Sequence, residues 1–114
     1  MHSFLDSVLP TQGVYCAVSI KGGKVKQSFH GTVADVETAA QTADLSQADA
    51  CFALASFNDS AQGRTVANAA YLRSFFLDID VGANKPYATQ ADAAVALKKF
   101  VQATGLPLPT LVIS

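Results

Sequence analysis

The sequence predicts an α/β (α+β) fold, a mixed sheet with helices packed on it, and three observations carry that prediction. Strand-like and helix-like patterns alternate along the chain. Half of the 114 residues are apolar, enough to bury a core in one domain without disulfides or metal. Glycines and capping threonines punctuate the boundaries where the period changes.

Val14, Cys16, Val18 and Ile20 alternate with Tyr15, Ala17 and Ser19, the period of a strand with one buried face. Lys21-Gly22-Gly23-Lys24 reads as a hairpin turn, because such turns demand positive φ, and Val25 to His30 is the returning strand. Thr32 and Asp35 open a helix in the manner of a capping box, with Val33, Val36, Ala40 and Ala43 on one face. Ala50 to Phe57 is a continuous apolar run and reads as one central strand covered on both faces. After a polar loop from Asn58 to Gly63, Thr65 to Arg73 reads as a short helix and Phe75 to Val81 as a strand. Thr89 and Asp92 cap a helix that runs to Thr104, with Ala93, Leu97, Phe100 and Val101 inward and Gly105 ending it. Thr110 to Ile113 opens a further strand, and an end at Ser114 inside an apolar run reads as a truncation.

Composition narrows the class. Apolar stretches fall far short of the ~20 residues that cross a bilayer, and residues 1–10 have no basic start, so no membrane partner is expected and the chain reads as cytoplasmic. Cys16 and Cys51 lie too far apart for a zinc knuckle and read as small buried hydrophobes. Asn58-Asp59-Ser60 matches a glycosylation sequon by chance. A net charge of −1 gives no general attraction for nucleic acid, so local basic groups or missing carboxy-terminal segments must supply much of any grip. Gly22-Gly23 and residues 82–85 lack the spacing of a P-loop or a dinucleotide fingerprint.

In Phe75-Phe76-Leu77-Asp78-Ile79-Asp80-Val81, strand alternation puts Asp78 and Asp80 on one face with Phe76, their Cα atoms about 6.5 to 7 Å apart. Neighbouring carboxylates repel, and a divalent cation makes both charges tolerable. Hard oxygen donors suit Mg2+ or Mn2+, which can activate a hydroxyl and neutralise phosphate charge during in-line displacement. The plainer reading is two acids at a strand end that meet solvent or cap the next loop.

The stretch Arg-Ser-Phe-Phe-Leu-Asp-Ile-Asp-Val-Gly from Arg73 to Gly82, followed by Lys85-Pro86-Tyr87, resembles the metal-binding segment of archaeo-eukaryotic primases of the phage and mobile-element type. A helix of the Ala91 to Phe100 kind and the Thr-Gly-Leu-Pro-x-Pro-Thr turn at Thr104 to Thr110 continue the likeness. So do the apolar run Cys51 to Phe57 and the Arg64 loop. The resemblance implies an incomplete primase-polymerase catalytic core, residues 1–114 being the amino-terminal part of that domain, truncated before a second motif that begins Ser-Gly-x-Gly-x-His. Ser114 supplies the first residue of that motif.

What the resemblance implies in function is a DNA-dependent nucleotidyltransferase of a phage or mobile element in a bacterial host cell. Such an enzyme makes or extends primers on a single-stranded DNA template from nucleoside triphosphates. Asp78 and Asp80 carry over as catalytic metal ligands for Mg2+ or Mn2+, and a replicative helicase, fused or separate, is a companion among relatives. The family's second motif brings a histidine that contacts nucleotide phosphates, and its third brings a further acid, so these residues alone are expected to be inactive. Lys85 and Tyr87 follow the acids and suit a triphosphate and a base, or are solvated loop residues. Arg64 and Arg73 suit nucleotide or template phosphates, against a plainer surface role.

Lys21, Lys24 and Lys26 form a basic cluster that fits a DNA backbone or, the preferred reading, an edge that discourages aggregation. Lys98 and Lys99 suit a helix end, and His2 and His30 read as surface residues. Two rivals stand beside the primase reading. One is a non-catalytic primase-like module that binds DNA or a replication partner. The other is an unrelated metal-dependent phosphoryl-transfer or nuclease domain that shares the D-x-D strand.

Overall fold

Two adjacent glycines, Gly22 and Gly23, both take positive φ, +57° and +77°, and so reverse the chain in a two-residue turn. In the computed structural model, which describes residues 4–109, the elements run α1 (Phe4–Val8), β1 (Tyr15–Lys21), β2 (Lys24–His30), α2 (Val33–Leu45), β3 (Asp49–Phe52), β4 (Ala55–Phe57), β5 (Ala69–Leu72) and α3 (Gln90–Thr104). The expected strand from Thr110 to Ile113 lies outside the described residues, as do His2 and Ser114. The result is a mixture of helices and small antiparallel sheets. No helix among the described residues is long and apolar enough to cross a membrane. The chain gathers into two compact units, Met1–Phe75 and Phe76–Ser114.

In the first unit, β1 is the middle strand of the order β2-β1-β3. The hairpin pairs Tyr15 with His30 through to Lys21 with Lys24, and β3 adds on the other edge with Ala17 opposite Phe52. Alternation turns Tyr15 and Ala17 to one face, where they pack with Val8, Leu9 and Val36. Cys16 and Val18 turn to the other and pack with Phe57. The one-sided burial expected of this strand is therefore corrected: Tyr-Cys-Ala-Val is apolar throughout, and each face finds its own cover.

Helix α2 begins as its sequence dictates, with Thr32 Oγ1 accepting from the Asp35 N–H at 3.2 Å, and it buries Val36. The short α1 was not foreseen, since one and a half turns carry no periodicity. It is held by tertiary contacts: Arg73 Nη1 donates to the carbonyls of Asp6 and Leu9, and Ser74 Oγ donates to Val8. The buried Tyr15 hydroxyl donates to Pro10 at 2.6 Å.

The single strand expected from Ala50 to Phe57 is two. β3 ends at Phe52, and β4 leaves for a separate sheet with β5, joined back to the start of β1 by paired Val14–Phe57 backbone hydrogen bonds. Two different partners, β1 and β5, claim the two halves of the apolar run, so no one ladder spans it. The helix expected over Thr65 to Arg73 is likewise corrected to a turn followed by β5, whose backbone is bonded to β4 with an irregularity at Ser56 and Phe57. Cys51, read as buried, is exposed on the edge strand β3, where the Phe57 cluster does not reach it.

Cys16 is fully buried, and burial pushes its thiol up from the ordinary range, opposed by the Arg64 guanidinium. Only the unfolded chain then loses this proton easily. Below the ordinary thiol range near pH 8.5 the group adds no pH dependence, and above it folding stability declines.

In the second unit, α3 starts with Thr89 Oγ1 accepting from the Asp92 N–H and ends at Gly105, φ +72°. Ala93 is buried and Leu97 and Val101 are half-buried, as the periodicity predicts, whereas Phe100 is exposed. At 100° per residue Phe100 falls at the border of the stripe that Ala93, Leu97 and Val101 define.

Two outcomes follow for stability and labelling. A Cβ on Gly13, φ +96°, would lie 2.6 Å from Ser56 Oγ, whereas one on Gly23 would meet open space. Gly23→Ala is expected to cost about 1–2 kcal/mol from backbone strain, and Gly13→Ala about 1–3 kcal/mol more from overpacking, read by urea denaturation. A thiol reagent is expected to modify Cys51 in the native protein and Cys16 only in denaturant, as mass spectrometry of digested protein would report.

Candidate functional site

The acids singled out in the sequence lie in an extended segment without a ladder. Residues 73–80 belong to no strand, which corrects the strand expected from Phe75 to Val81. A ladder needs a neighbouring strand for its N–H and C=O groups, and no described strand runs beside this one. The apolar residues expected to be covered show the consequence: Phe75 is 94% exposed and Leu77 62%, while Ile79 alone of the stretch around the acids is half-buried.

Asp78 and Asp80 are both exposed. Neither makes a hydrogen bond or ion pair with another described residue, so no cation of the described chain neutralises them. Just after them the backbone closes on itself. Val81 bridges to Tyr87 in parallel fashion, the Gly82 N–H donates to the Tyr87 carbonyl at 2.9 Å, and the Lys85 N–H donates to the Gly82 carbonyl at 3.2 Å. Two residues make this possible. Gly82 takes φ +142°, open chiefly to glycine, and Asn84 takes φ +64°, a left-handed conformation that asparagine tolerates.

The closed turn half-buries Tyr87 and leaves Lys85 in solvent. Asp80 therefore sits one residue before a fixed bridge, and Asp78 two residues before that. Two hard carboxylates with no protein partner fit a divalent cation as an incomplete donor set, the remaining positions belonging to water or phosphate oxygens. Among the described residues no three His, Cys, Asp or Glu side chains gather as a metal cluster.

Arg64 and Arg73 belong to the first unit. Arg73 is committed to the α1 carbonyls through Nη1, a structural task that the sequence reading did not assign. Arg64 is exposed on a loop that is organised from within. There the buried Asn68 donates to the carbonyls of Asp59 and Gly63, each at 2.8 Å, and Asp59 Oδ1 accepts from the N–H groups of Ala61 and Gln62. Ser114 lies outside the described residues. Comparison with protein-family models, with curated proteins and with solved structures finds no match to this chain.

The closed turn has its own test. Gly82→Ala is expected to cost about 1–3 kcal/mol and to open the loop, seen as faster amide exchange at Lys85, whereas Asn84→Gly should leave that exchange unchanged.

Proposed function

We propose that this chain belongs to a DNA-dependent primase-polymerase, a nucleotidyltransferase that makes or extends primers on single-stranded DNA during replication of a phage or mobile element. The observation that carries the reading is Asp78 and Asp80, exposed and unpartnered among the described residues, directly before a closed turn that presents Lys85. The resemblance of Arg73 to Tyr87 and of Thr104 to Thr110 to the primase pattern supports it.

In this reading Asp78 and Asp80 hold Mg2+ or Mn2+, which when bound supplies charge neutralisation at a nucleotide's phosphates and lowers the pKa of a primer hydroxyl. Lys85 offers a point charge to the triphosphate, and the half-buried Tyr87 offers an aromatic ring to a base or sugar. A second reading, a non-catalytic module that binds DNA or a replication partner, draws on the lack of a third ligating side chain among the described residues.

Calorimetric titration of Mn2+ into this chain and into an Asp78→Ala, Asp80→Ala variant tests the proposal, with circular dichroism confirming that both fold. Saturable binding is expected in the parent and is expected to vanish in the variant. Equal binding by both would remove the paired acids from the site. No binding by the folded parent chain would favour the second reading.

A further inference from the structure

Lys21, Lys24 and Lys26 are brought to one face of the first sheet by the hairpin register. Lys21 pairs with Lys24 and Ser19 with Lys26, and period-two alternation turns all four to the side of Ala17. That side faces α2, and between the hairpin and the helix lies a groove of about 750 Å3. Its helix wall is Ala39, Thr42, Ala43 and Ser46, small residues at helical spacing that keep the groove open.

The chemistry of the lining is one-sided. Three lysines and several hydroxyls line it, and no acidic side chain does, although the chain as a whole carries −1. Asp35, Glu37 and Asp44 occupy other positions of α2. Lys21 Nζ donates to the Ser46 carbonyl at 2.6 Å, which fixes one ammonium across the groove and leaves it two further N–H donors. No aromatic side chain lines the groove, so it offers phosphates a counter-charge and bases no stacking surface.

We propose that this groove binds the phosphate backbone of single-stranded DNA without regard to sequence. The groove itself calls for a polyanion, and the choice of single-stranded DNA rests on the template proposed above. A helix wall of small residues leaves the three lysines open to one flexible strand.

The test is fluorescence anisotropy with a short labelled oligothymidylate across about 50 to 200 mM salt. Single strands lose about 0.7 in log K per log salt for each phosphate neutralised, so three lysines give a slope near −2 and an affinity loss of about 20-fold over that range. Lys24→Gln with Lys26→Gln is expected to leave a loss of about 3-fold. Lys98→Gln with Lys99→Gln, on α3, is expected to bind as the parent does, and an oligonucleotide of mixed sequence as oligothymidylate does.

Amide shifts in the parent give a reading that needs no variant: changes are expected at Ser19, Gln27 and Thr42. Unchanged binding by the hairpin variant, equal weakening by the α3 variant, shifts confined elsewhere or equal competition by duplex DNA would each overturn the assignment. The anisotropy titration is run without divalent metal and so does not draw on Asp78 and Asp80. Lysine-dependent binding thus stands if manganese binding fails, and falls alone if only the hairpin result fails.

Discussion

Tyr15 to Lys21 meets a strand on each edge and an apolar cluster on each face, and each of these partners comes from a different stretch of chain. β2 follows at once through the glycine turn, β3 arrives after α2, Phe57 belongs to the next sheet, and Val8 and Leu9 precede it. No other described element of the first unit is so surrounded. Each neighbour removes water from a backbone or side-chain group that β1 would otherwise expose, so the fit of Cys16, Ala17 and Val18 constrains all of them together. Small residues at Cys16 and Ala17 let Phe57 on one side and Val36 on the other approach closely.

What the sequence disclosed and what it withheld follow one division. Features set by a few adjacent residues were legible: Thr32 and Thr89 as caps, Gly22-Gly23 as a turn, Gly105 as a helix stop. Features that need a distant partner were not. Ala50 to Phe57 has the composition of one strand, and only the competition between β1 and β5 divides it. Phe75 to Val81 has the composition of a strand as well, yet composition cannot supply the neighbour that makes a ladder. β5 was hidden for a related reason, since Ala69 to Leu72 is compatible with either period and its pairing to β4 decides.

The candidate residues divide in the same way. Asp78 and Asp80 are legible as chemistry, two acids two positions apart, and the closed turn behind them could be suspected only from Gly82 and Asn84. Arg73 looked like a phosphate contact because a cationic side chain beside an acidic motif invites that reading. Its bonds to α1 depend on residues more than sixty positions earlier, which no local pattern reveals. The hairpin lysines were legible as a cluster. That they share a groove with Thr42 and Ser46 depends on how α2 crosses the sheet.

The bonds from Arg73 and Ser74 to α1 also bear on the order in which the first unit assembles. They close a loop of more than sixty residues, whereas the β1–β2 hairpin closes one of two. Loop closure entropy places the hairpin early and the α1 clasp late. A helix that docks last is also the first to undock when the protein breathes, and its departure would uncover Val36 and Tyr15. The amino-terminal helix is thus the point at which a protease or a chaperone would meet the core of an otherwise folded chain.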